Sequence, residues 1–324
     1  MNHLVSFSGG RTSAFMCHFM LENYPREDLT FIYANTGKEH PKTLEFIKKC
    51  DDYFELDLKI VEALVLDYDK YKVKHEIAPV CYYSKGVRIP LSAAEFDLFR
   101  GIDSDFYEFN PSFFGIDEDH YLTSYKDKIG TSFRLRCYQS LSIDGEPFSN
   151  VIAKYGLPNK NAPLCTRELK ESPIRKFAQA HFGKNYLMHI GIRVDERIRV
   201  NSNRAKRYRF HYPLITDMPT TRNMILDFWK SMPFDLEIPS LLGNCDFCWK
   251  KSQNKRIEII RKHPRVVEWW RSHEDKSDYI FDRDGVSISN LIGLSKEKAP
   301  QLDMFFQDNS CSCFANIQFD DIMN

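Results

Sequence analysis

Apolar runs that end in turn residues alternate with amphipathic stretches through the first 65 residues. Strand-like runs lie at 4–7, 30–34 and 58–65, and helical spacing follows the first two at 14–21 and 43–50. The order strand, helix, strand, helix, strand is typical of a parallel sheet wrapped by helices. The pattern therefore predicts an α/β fold that binds ligands beyond the carboxyl ends of its strands.

The turn after the first predicted strand has the composition of an anion site. It reads Ser8-Gly9-Gly10-Arg11-Thr12-Ser13 and leads directly into the first predicted helix. Glycines let the backbone approach a phosphate, and the unpaired N–H groups at a helix start favour negative charge. No lysine follows the glycines, so this is not the lysine-bearing ATPase loop. An ordinary strand-to-helix turn is the alternative.

Residues 67–138 interrupt the pattern with many aromatic side chains and few periodic runs. A structureless loop of this size is uncommon in a compact domain, and the aromatic content argues against disorder. The sequence therefore predicts an inserted subdomain of unassigned role. Residues 1–66 and 139–232 are predicted to be the two parts of the α/β domain, and residues 233–324 a helical, cysteine-containing C-terminal region.

The composition of the chain limits the kinds of partner and chemistry that we expect. The 324 residues are 43% hydrophobic, and Lys+Arg and Asp+Glu both number 45, so the overall charge favours neither nucleic acid nor a membrane. No apolar run approaches membrane-spanning length, and because a strand is predicted at the N-terminus we expect no signal peptide. We therefore expect a cytoplasmic protein with no membrane partner. In a reducing compartment, its nine cysteines suit metal or redox chemistry better than disulfides.

Three groups of cysteines are candidates for that chemistry. Cys245 and Cys248 form a C-x-x-C pair, Cys311 and Cys313 lie near the end of the chain, and Cys165 begins a Cys-Thr-Arg-Glu-Leu-Lys block. Two thiolates at C-x-x-C spacing bind one metal centre or form a redox pair. A structural zinc held by the two pairs and a set of buried or redox thiols both remain open.

Residues 193–209 form a basic stretch. They include six arginines and one lysine, against the two acids Asp195 and Glu196. Guanidinium groups suit phosphate and sulfate oxygens, and a run of this kind can also hold a nucleic-acid backbone. A solvated basic loop is the third interpretation.

Five blocks together resemble the phosphoadenosine phosphosulfate (PAPS) reductase family. They are, in chain order, residues 8–13, 35–41, 165–170, 191–196 and 212–214. The resemblance covers about residues 1–65 and 139–265, and each block lies at a predicted strand end or helix start. It implies a Rossmann-like (HUP-type) parallel sheet with helices on both faces. It also implies membership of the wider group of N-type ATP pyrophosphatases, which share a pyrophosphate loop.

The resemblance implies a role for individual residues. The implied nucleotide-binding residues are Ser6, Ser8, Gly9, Gly10, Arg11, Thr12, Ser13, Asn35, Thr36, Gly37, Arg193 and Asp195. The implied catalytic residues are Cys313, Cys311, Lys170 and Arg193. For Lys38 and Glu39, a solvated turn and a functional role both remain open.

Iron–sulfur relatives imply a metal centre. Its ligands would be Cys165, Cys245, Cys248 and either Cys313 or Cys311, holding a [4Fe–4S] cluster, with Zn²⁺ as the alternative. Relatives place two adjacent cysteines at the first position, whereas Leu164 precedes Cys165 here. Mg²⁺ is expected as well if ATP is the substrate.

Three functions follow from the resemblance. The first is a PAPS reductase-like sulfur-transfer enzyme acting on PAPS or adenosine phosphosulfate, with a thioredoxin-like thiol reductant. The second is an ATP pyrophosphatase that adenylates a nucleic acid or another acceptor before sulfur arrives from a donor, with the stretch 193–209 as a candidate nucleic-acid contact. The third is a non-catalytic nucleotide-binding iron–sulfur protein. Thiol-dependent reductases end in Glu-Cys-Gly-Leu-His, and this chain instead has Ser310-Cys311-Ser312-Cys313.

Overall fold

A six-stranded sheet forms the centre of the protein. The computed structural model describes residues 1–65, 131–239, 241–243, 245–281 and 285–297, and the backbone alone of 81–84 and 87–90. The strands of the sheet are β1 (Asn2–Ser6), β2 (Leu29–Asn35), β3 (Lys59–Val65), β6 (Thr131–Arg136), β7 (Tyr186–Ile190) and β8 (Phe210–His211). Their order is β6-β3-β2-β1-β7-β8. A separate antiparallel pair contains β4 (Cys81–Ser84) and β5 (Val87–Pro90).

Helices connect the strands and extend the chain beyond them. They are α1 (Arg11–Asn23), α2 (Pro41–Phe54), α3 (Glu146–Tyr155), α4 (Leu164–Thr166), α5 (Ser172–Phe182), α6 (Ser202–Tyr208), α7 (Pro213–Thr216), α8 (Arg222–Ser231), α9 (Gln253–Lys262), α10 (Pro264–Glu274) and α11 (Ile288–Glu297). A π-helical turn, Arg167–Glu171, joins α4 to α5. Short 3₁₀ turns lie at Arg26–Asp28, Tyr138–Ser140 and Val194–Arg199.

The sheet is mostly parallel and is covered on both faces. β1 pairs in parallel with β2 and β7, β2 with β3, and β7 with β8. Successive residues of a strand point to opposite faces. Phe31 and Tyr33 accordingly pack in one core with α1, α2 and α8, whereas Ile32 and Ala34 pack in another with α5. The predicted α/β fold with helices on both faces is confirmed.

The sheet also contains a strand from within the segment predicted to be an insertion. β6 runs antiparallel to β3, with Arg134 opposite Glu62. Thr131 and Phe133 of this strand are buried, and Arg134 and Arg136 reach the buried carboxylate of Glu62. This charge pairing holds β6 in the sheet. The sequence does not indicate β6, because it is one short alternating run among many aromatic residues.

A third core belongs to the C-terminal helices. Ile257, Trp270 and Leu291 pack together against Phe148 of α3. None of the helices in the described part of the chain combines the length and apolar character needed to cross a membrane.

Three histidines on neighbouring strands form a hydrogen-bonded chain. His3 Nδ1 lies 2.8 Å from His189 Nε2, and His189 Nδ1 lies 3.1 Å from His211 Nδ1. His211 Nε2 is 3.2 Å from the carboxylate of Asp217. One N–H per neutral ring is sufficient for every contact in this chain. Burial, together with the charges that His211 and His3 can carry, lowers the pKa of His189 to about 3.

Because of this histidine chain, we expect the free energy of unfolding to fall on acidification at pH values above those where carboxylates titrate. Unfolded His189 binds its proton near pH 6.5, so its contribution to stability is complete above that pH and declines as the pH falls towards 3. Between pH 7 and pH 5 we expect a loss of about 2 kcal/mol, at about 1.4 kcal/mol per pH unit below pH 6.5. Urea unfolding at each pH measures it. In His189→Asn, the free energy of unfolding should change less between pH 7 and pH 5. If it changes as much as in the wild type, other groups cause the pH dependence.

Candidate functional site

The loop after β1 is closed by its own hydroxyl groups. Ser13 Oγ accepts a hydrogen bond from Ser8 N at 3.1 Å, lies 2.9 Å from Ser8 Oγ, and donates to the carbonyl of Gly10 at 3.0 Å. Gly10 is the N-cap of α1, and no side chain caps the helix. The first-turn N–H groups of α1 are thus available to an anion beside the loop.

Two glycines of the loop have different roles. Gly9 has φ +77°, and a Cβ there would lie 2.8 Å from Thr43 Cγ2 and 2.9 Å from Ile47 Cδ1. Glycine at this position therefore allows α2 to pack against the loop. Gly10 has φ −107°, and the nearest atom to a Cβ there is Ser8 Oγ at 3.9 Å. The side of Gly10 is open, as close approach of a ligand requires.

The end of β7 forms the second wall of the site. A Cβ on Gly191 would lie 3.1 Å from Ser13 Cα, so this strand end approaches the start of α1 closely. Buried Arg193 donates to Thr12 Oγ1 at 2.9 Å and to the carboxylate of Asp195 at 3.0 Å. The hydrogen bond from Arg193 lowers the pKa of Asp195. A guanidinium group and an ionised carboxylate therefore lie beside the glycine loop.

Two of the residues implied to bind nucleotide pair with carboxylates of the protein, and a third is buried within its strand. Arg11 binds the carboxylate of Asp235 at 2.6 and 2.9 Å, which ties a later segment to α1. Asn35 is fully buried, and its amide donates to Glu62 at 2.6 Å. Ser6 is a buried residue of β1.

The turn after β2 is organised around Glu39. Its carboxylate accepts from Thr36 N at 3.0 Å, from Thr36 Oγ1 at 2.7 Å and from Lys38 N at 3.2 Å. Burial raises the pKa of Glu39, and the nearby charge of Lys170 opposes that effect. Gly37, with φ +78°, passes close to Gly145, where a Cβ would lie 3.0 Å from Gly145 Cα.

This turn is joined to the C-x-x-C segment. The backbones of Glu39 and Cys245 form an antiparallel bridge, and Asp246 N donates to the carbonyl of Lys38 at 3.1 Å. Lys38 Nζ also lies 3.1 Å from the carboxylate of Asp246. The sequence left Lys38 and Glu39 open, and their partners lie some 200 residues away, where no local signal indicates them.

The three described candidate metal ligands line one small cavity. Its lining residues are Thr36, Phe148, Cys165, Thr166, Leu169, Lys170, Cys245, Cys248, Trp249, Lys250 and Trp270. The cavity measures about 20 Å³, enough for a water molecule. It lies between the β2 turn, the π-helical turn and the C-x-x-C segment, and so adjoins the strand edge that carries the glycine loop.

Several hydrogen-bond donors lie around the cavity. Trp249 Nε1 donates to Cys165 Sγ at 3.4 Å, and Lys250 Nζ donates to Thr166 Oγ1 at 3.0 Å. Lys251 Nζ donates to the carbonyl of Cys245 at 3.3 Å, and Lys170 is buried in the lining. Cationic side chains and an N–H donor stabilise thiolates, so the chemistry of this donor set fits a thiolate-bound metal centre.

The ligand set itself is not assembled in the part of the chain that the structure describes. No three or more His, Cys, Asp or Glu side chains are grouped there in a way that could hold a metal ion. Cys311 and Cys313, predicted as the fourth ligand and as the nucleophile, lie outside the described residues. The identity of the metal centre therefore stays a prediction.

Comparison with known proteins identifies the family. Residues 2–79 match the phosphoadenosine phosphosulfate reductase domain. The chain is 31% identical over 258 residues to the uncharacterized nin region protein ORF290 of Escherichia phage lambda, an alignment that spans 79% of this chain and 68% of the phage protein. No solved structure matches. The domain match contains both the loop at 8–13 and the turn at 35–41, and the chain belongs to the PAPS reductase family.

Proposed function

We propose that this protein is a PAPS reductase-like sulfur-transfer enzyme that binds an adenine nucleotide at the loop of residues 8–13. One observation carries the proposal: the uncapped start of α1 meets the buried guanidinium of Arg193, which donates to Thr12 Oγ1 at 2.9 Å. Backbone N–H groups at the start of α1 and the guanidinium group after β7 then converge where we propose that a polyphosphate or phosphosulfate group binds.

The remaining groups divide between the two ends of the nucleotide. Thr36 and Gly37 lie at the end of β2 and line the adenosine side in this proposal. Asp195, kept ionised by Arg193, suits a ribose hydroxyl or a Mg²⁺ ion bridging the phosphates of ATP. PAPS, adenosine phosphosulfate and ATP all carry the groups that such a site recognises.

In the reductase mechanism, a cysteine thiolate attacks the sulfur of the sulfonucleotide. Cys311 or Cys313 supplies the thiolate; an S–S bond forms, the bond from sulfur to the phosphate oxygen breaks, and the nucleotide leaves with that electron pair. A dithiol protein of the thioredoxin type then attacks the resulting S-sulfocysteine. Sulfite leaves as the dithiol becomes a disulfide, and the cysteine is regenerated. Lys170 and Arg193 provide positive charge for the leaving group.

The second candidate is an ATP pyrophosphatase that activates an acceptor for thiolation. The complete Ser8-Gly9-Gly10 and Ser13 set, closed by the 2.9 Å contact between the two serine hydroxyls, supports it. An acceptor oxygen attacks the α-phosphorus, pyrophosphate leaves, and a sulfur donor then displaces AMP. A third candidate is a nucleotide-binding iron–sulfur protein without catalysis.

Product analysis separates the candidates. The anaerobically purified protein is incubated with ATP and Mg²⁺, or with PAPS and a reduced dithiol protein. Sulfite that depends on PAPS and dithiol supports the reductase, and pyrophosphate from ATP supports the adenylating enzyme. Binding of either nucleotide without product supports the non-catalytic protein. Absence of nucleotide binding would refute the proposal as a whole.

We further propose that Cys165, Cys245 and Cys248, with Cys313 or Cys311, hold a [4Fe–4S] cluster, Zn²⁺ being the alternative. The common cavity and the donors around it support this assignment. A cluster supplies a one-electron redox centre when bound, whereas zinc supplies a structural cross-link.

The metal centre gives a spectroscopic prediction. Protein purified without oxygen should show a broad visible absorbance that dithionite bleaches, with iron and acid-labile sulfide in equal amounts. Cys245→Ser with Cys248→Ser should abolish it, because two of four ligands are lost. Cys50→Ala, at a buried core thiol, should retain it. Colourless protein that contains stoichiometric zinc would show that the metal centre is zinc and not a cluster. Folded protein without metal would refute both assignments.

A further inference from the structure

The basic stretch forms a surface beside the nucleotide loop. It begins with the 3₁₀ turn Val194–Arg199 and continues through α6. We call it the basic surface and define it by the side chains of Arg175, Arg197, Arg199, Arg204, Lys206, Arg207 and Arg209. Arg197, Lys206, Arg207 and Arg209 are exposed to solvent.

The carboxylates next to this surface are already paired. Arg193 binds Asp195, as described above, and two further pairs have the same form. Arg199 lies 2.6 Å from Glu196, and Arg204 lies 2.6 Å from Glu171. The four exposed cations have no carboxylate partner within the described chain. Because the protein has a formal net charge of zero, this surplus is a local feature of one face.

Aromatic and aliphatic groups lie among the charges. The guanidinium carbons of Arg175, Arg204 and Arg207 lie 5.5, 5.8 and 5.3 Å from the ring centre of Tyr208. Ile198 is 85% exposed in the same surface. Guanidinium groups around an aromatic ring, with an exposed aliphatic side chain, offer a base or a sugar an apolar contact between phosphate-binding groups.

The surface is continuous with the nucleotide loop. Arg193 binds Thr12 of the loop, and the 3₁₀ turn starts at the next residue, Val194. A chain of phosphates lying on the basic surface would therefore pass the position where the nucleotide is proposed to bind.

We propose that the basic surface binds the phosphodiester backbone of a nucleic acid, which is then the acceptor of the second candidate function, the adenylating enzyme. The role as acceptor rests on that second candidate function, whereas the binding of a nucleic acid does not. Arginine accounts for six of the seven cations between residues 193 and 209, and its planar fork matches phosphate oxygens better than a lysine does. The continuity of this surface with the loop at residues 8–13, where a polyphosphate is proposed to bind, favours a nucleic acid over an acidic protein surface.

Salt-dependent binding tests the surface. Fluorescence anisotropy follows the full-length protein with labelled single-stranded DNA, duplex DNA and RNA between about 50 and 300 mM salt. The test variant is Arg197→Glu, Lys206→Glu and Arg207→Glu together. We expect wild-type affinity to fall steeply with salt, and the variant to bind at least about tenfold more weakly, with a salt slope smaller by about 2 to 3.

A matched control has the same change in net charge elsewhere. Lys48→Glu and Lys49→Glu on α2, with Lys230→Glu on α8, should retain wild-type nucleic-acid binding. Wild-type protein that binds no nucleic acid, equal losses in both variants, or competition by polyglutamate as effective as DNA would each overturn the inference. The last result would assign the surface to an acidic protein.

Calorimetry with ATP and PAPS distinguishes this failure from failure of the proposed function. The basic-surface variant should keep the nucleotide affinity of the wild type, because none of its three substitutions lies in the loop. Nucleotide binding without nucleic-acid binding overturns the inference and leaves the proposed function intact. Nucleic-acid binding without nucleotide binding supports the surface and removes the proposed function.

Discussion

Changing Ser8 and Gly10 together to alanine should weaken the binding of ATP or PAPS by about a hundredfold or more. Ser8 Oγ is 2.9 Å from Ser13 Oγ, so its loss removes both a potential phosphate donor and one of the contacts that shape the loop. Each charge-assisted hydrogen bond contributes about 1.5–3 kcal/mol. The methyl group introduced by Gly10→Ala adds an obstruction where the backbone must approach the phosphate.

The fold should survive this double substitution. Gly10 has an ordinary negative φ, and its added Cβ would meet nothing closer than Ser8 Oγ at 3.9 Å. Gly9→Ala is unsuitable as a test, since its Cβ would approach the side chain of Thr43 to 2.8 Å and disturb α2. Melting temperature and far-ultraviolet circular dichroism check the fold, and calorimetry measures nucleotide affinity.

A matched control is Ser272→Ala with Gly293→Ala. Ser272 is exposed on α10, and a Cβ on Gly293 of α11 would have no neighbour within 4 Å. This control should bind nucleotide like the wild type. If the loop variant also does so while remaining folded, the phosphates do not bind at residues 8–13, and the proposed function loses its central support.

The local sequence pattern was sufficient to predict the strands and turns that carry the glycine loop. The first three strands are buried on both faces, so they read as apolar runs, and glycine-rich turns follow the first two directly. Gly9 and Gly37 both have positive φ at strand ends, where the sequence placed turns. Three parallel strand ends could therefore be located, and the family resemblance added the segment 191–196, which meets the loop at residues 8–13 between β1 and β7.

Contacts between distant segments could not be predicted in the same way. The bridge between Glu39 and Cys245 and the pairing of Arg11 with Asp235 depend on how the chain folds back, which no periodicity encodes. The same holds for Asn35, whose side-chain amide donates to Glu62 of the neighbouring strand. A polar residue at a strand end gives the same sequence pattern whether it binds a ligand or pairs with another residue of the protein.

Removing the carboxylate of Glu62 should destabilise the protein far more than removing a carboxylate on its surface. The Glu62 side chain is fully buried and accepts from Arg136 Nε at 2.8 Å, Arg134 Nη2 at 3.0 Å and Ser142 N at 2.8 Å. Burial alone would raise the pKa of Glu62, but the charges of Arg134 and Arg136 outweigh it, and the pKa is lowered. The carboxylate is therefore ionised and joins β3 to β6.

Glu62→Ala should destabilise the protein by about 3–5 kcal/mol, because breaking a buried ion pair leaves its partners without compensation. Arg134 retains Glu146 as a partner, whereas Arg136 has no second carboxylate in the described part of the chain. Glu62→Gln should lose less, since its amide oxygen can still accept from Ser142 N. Urea unfolding measures both variants.

Glu45→Ala is the surface counterpart. Glu45 pairs with Lys42 and Lys49 on the exposed side of α2, where solvent screens the charges, and its removal should change stability little. If Glu62→Ala were no more destabilising than Glu45→Ala, the pairing of β6 with β3 would not depend on this carboxylate. Asn35 loses its 2.6 Å partner in Glu62→Ala as well. Weaker nucleotide binding by the folded fraction of that variant would then show that the buried network also positions the end of β2.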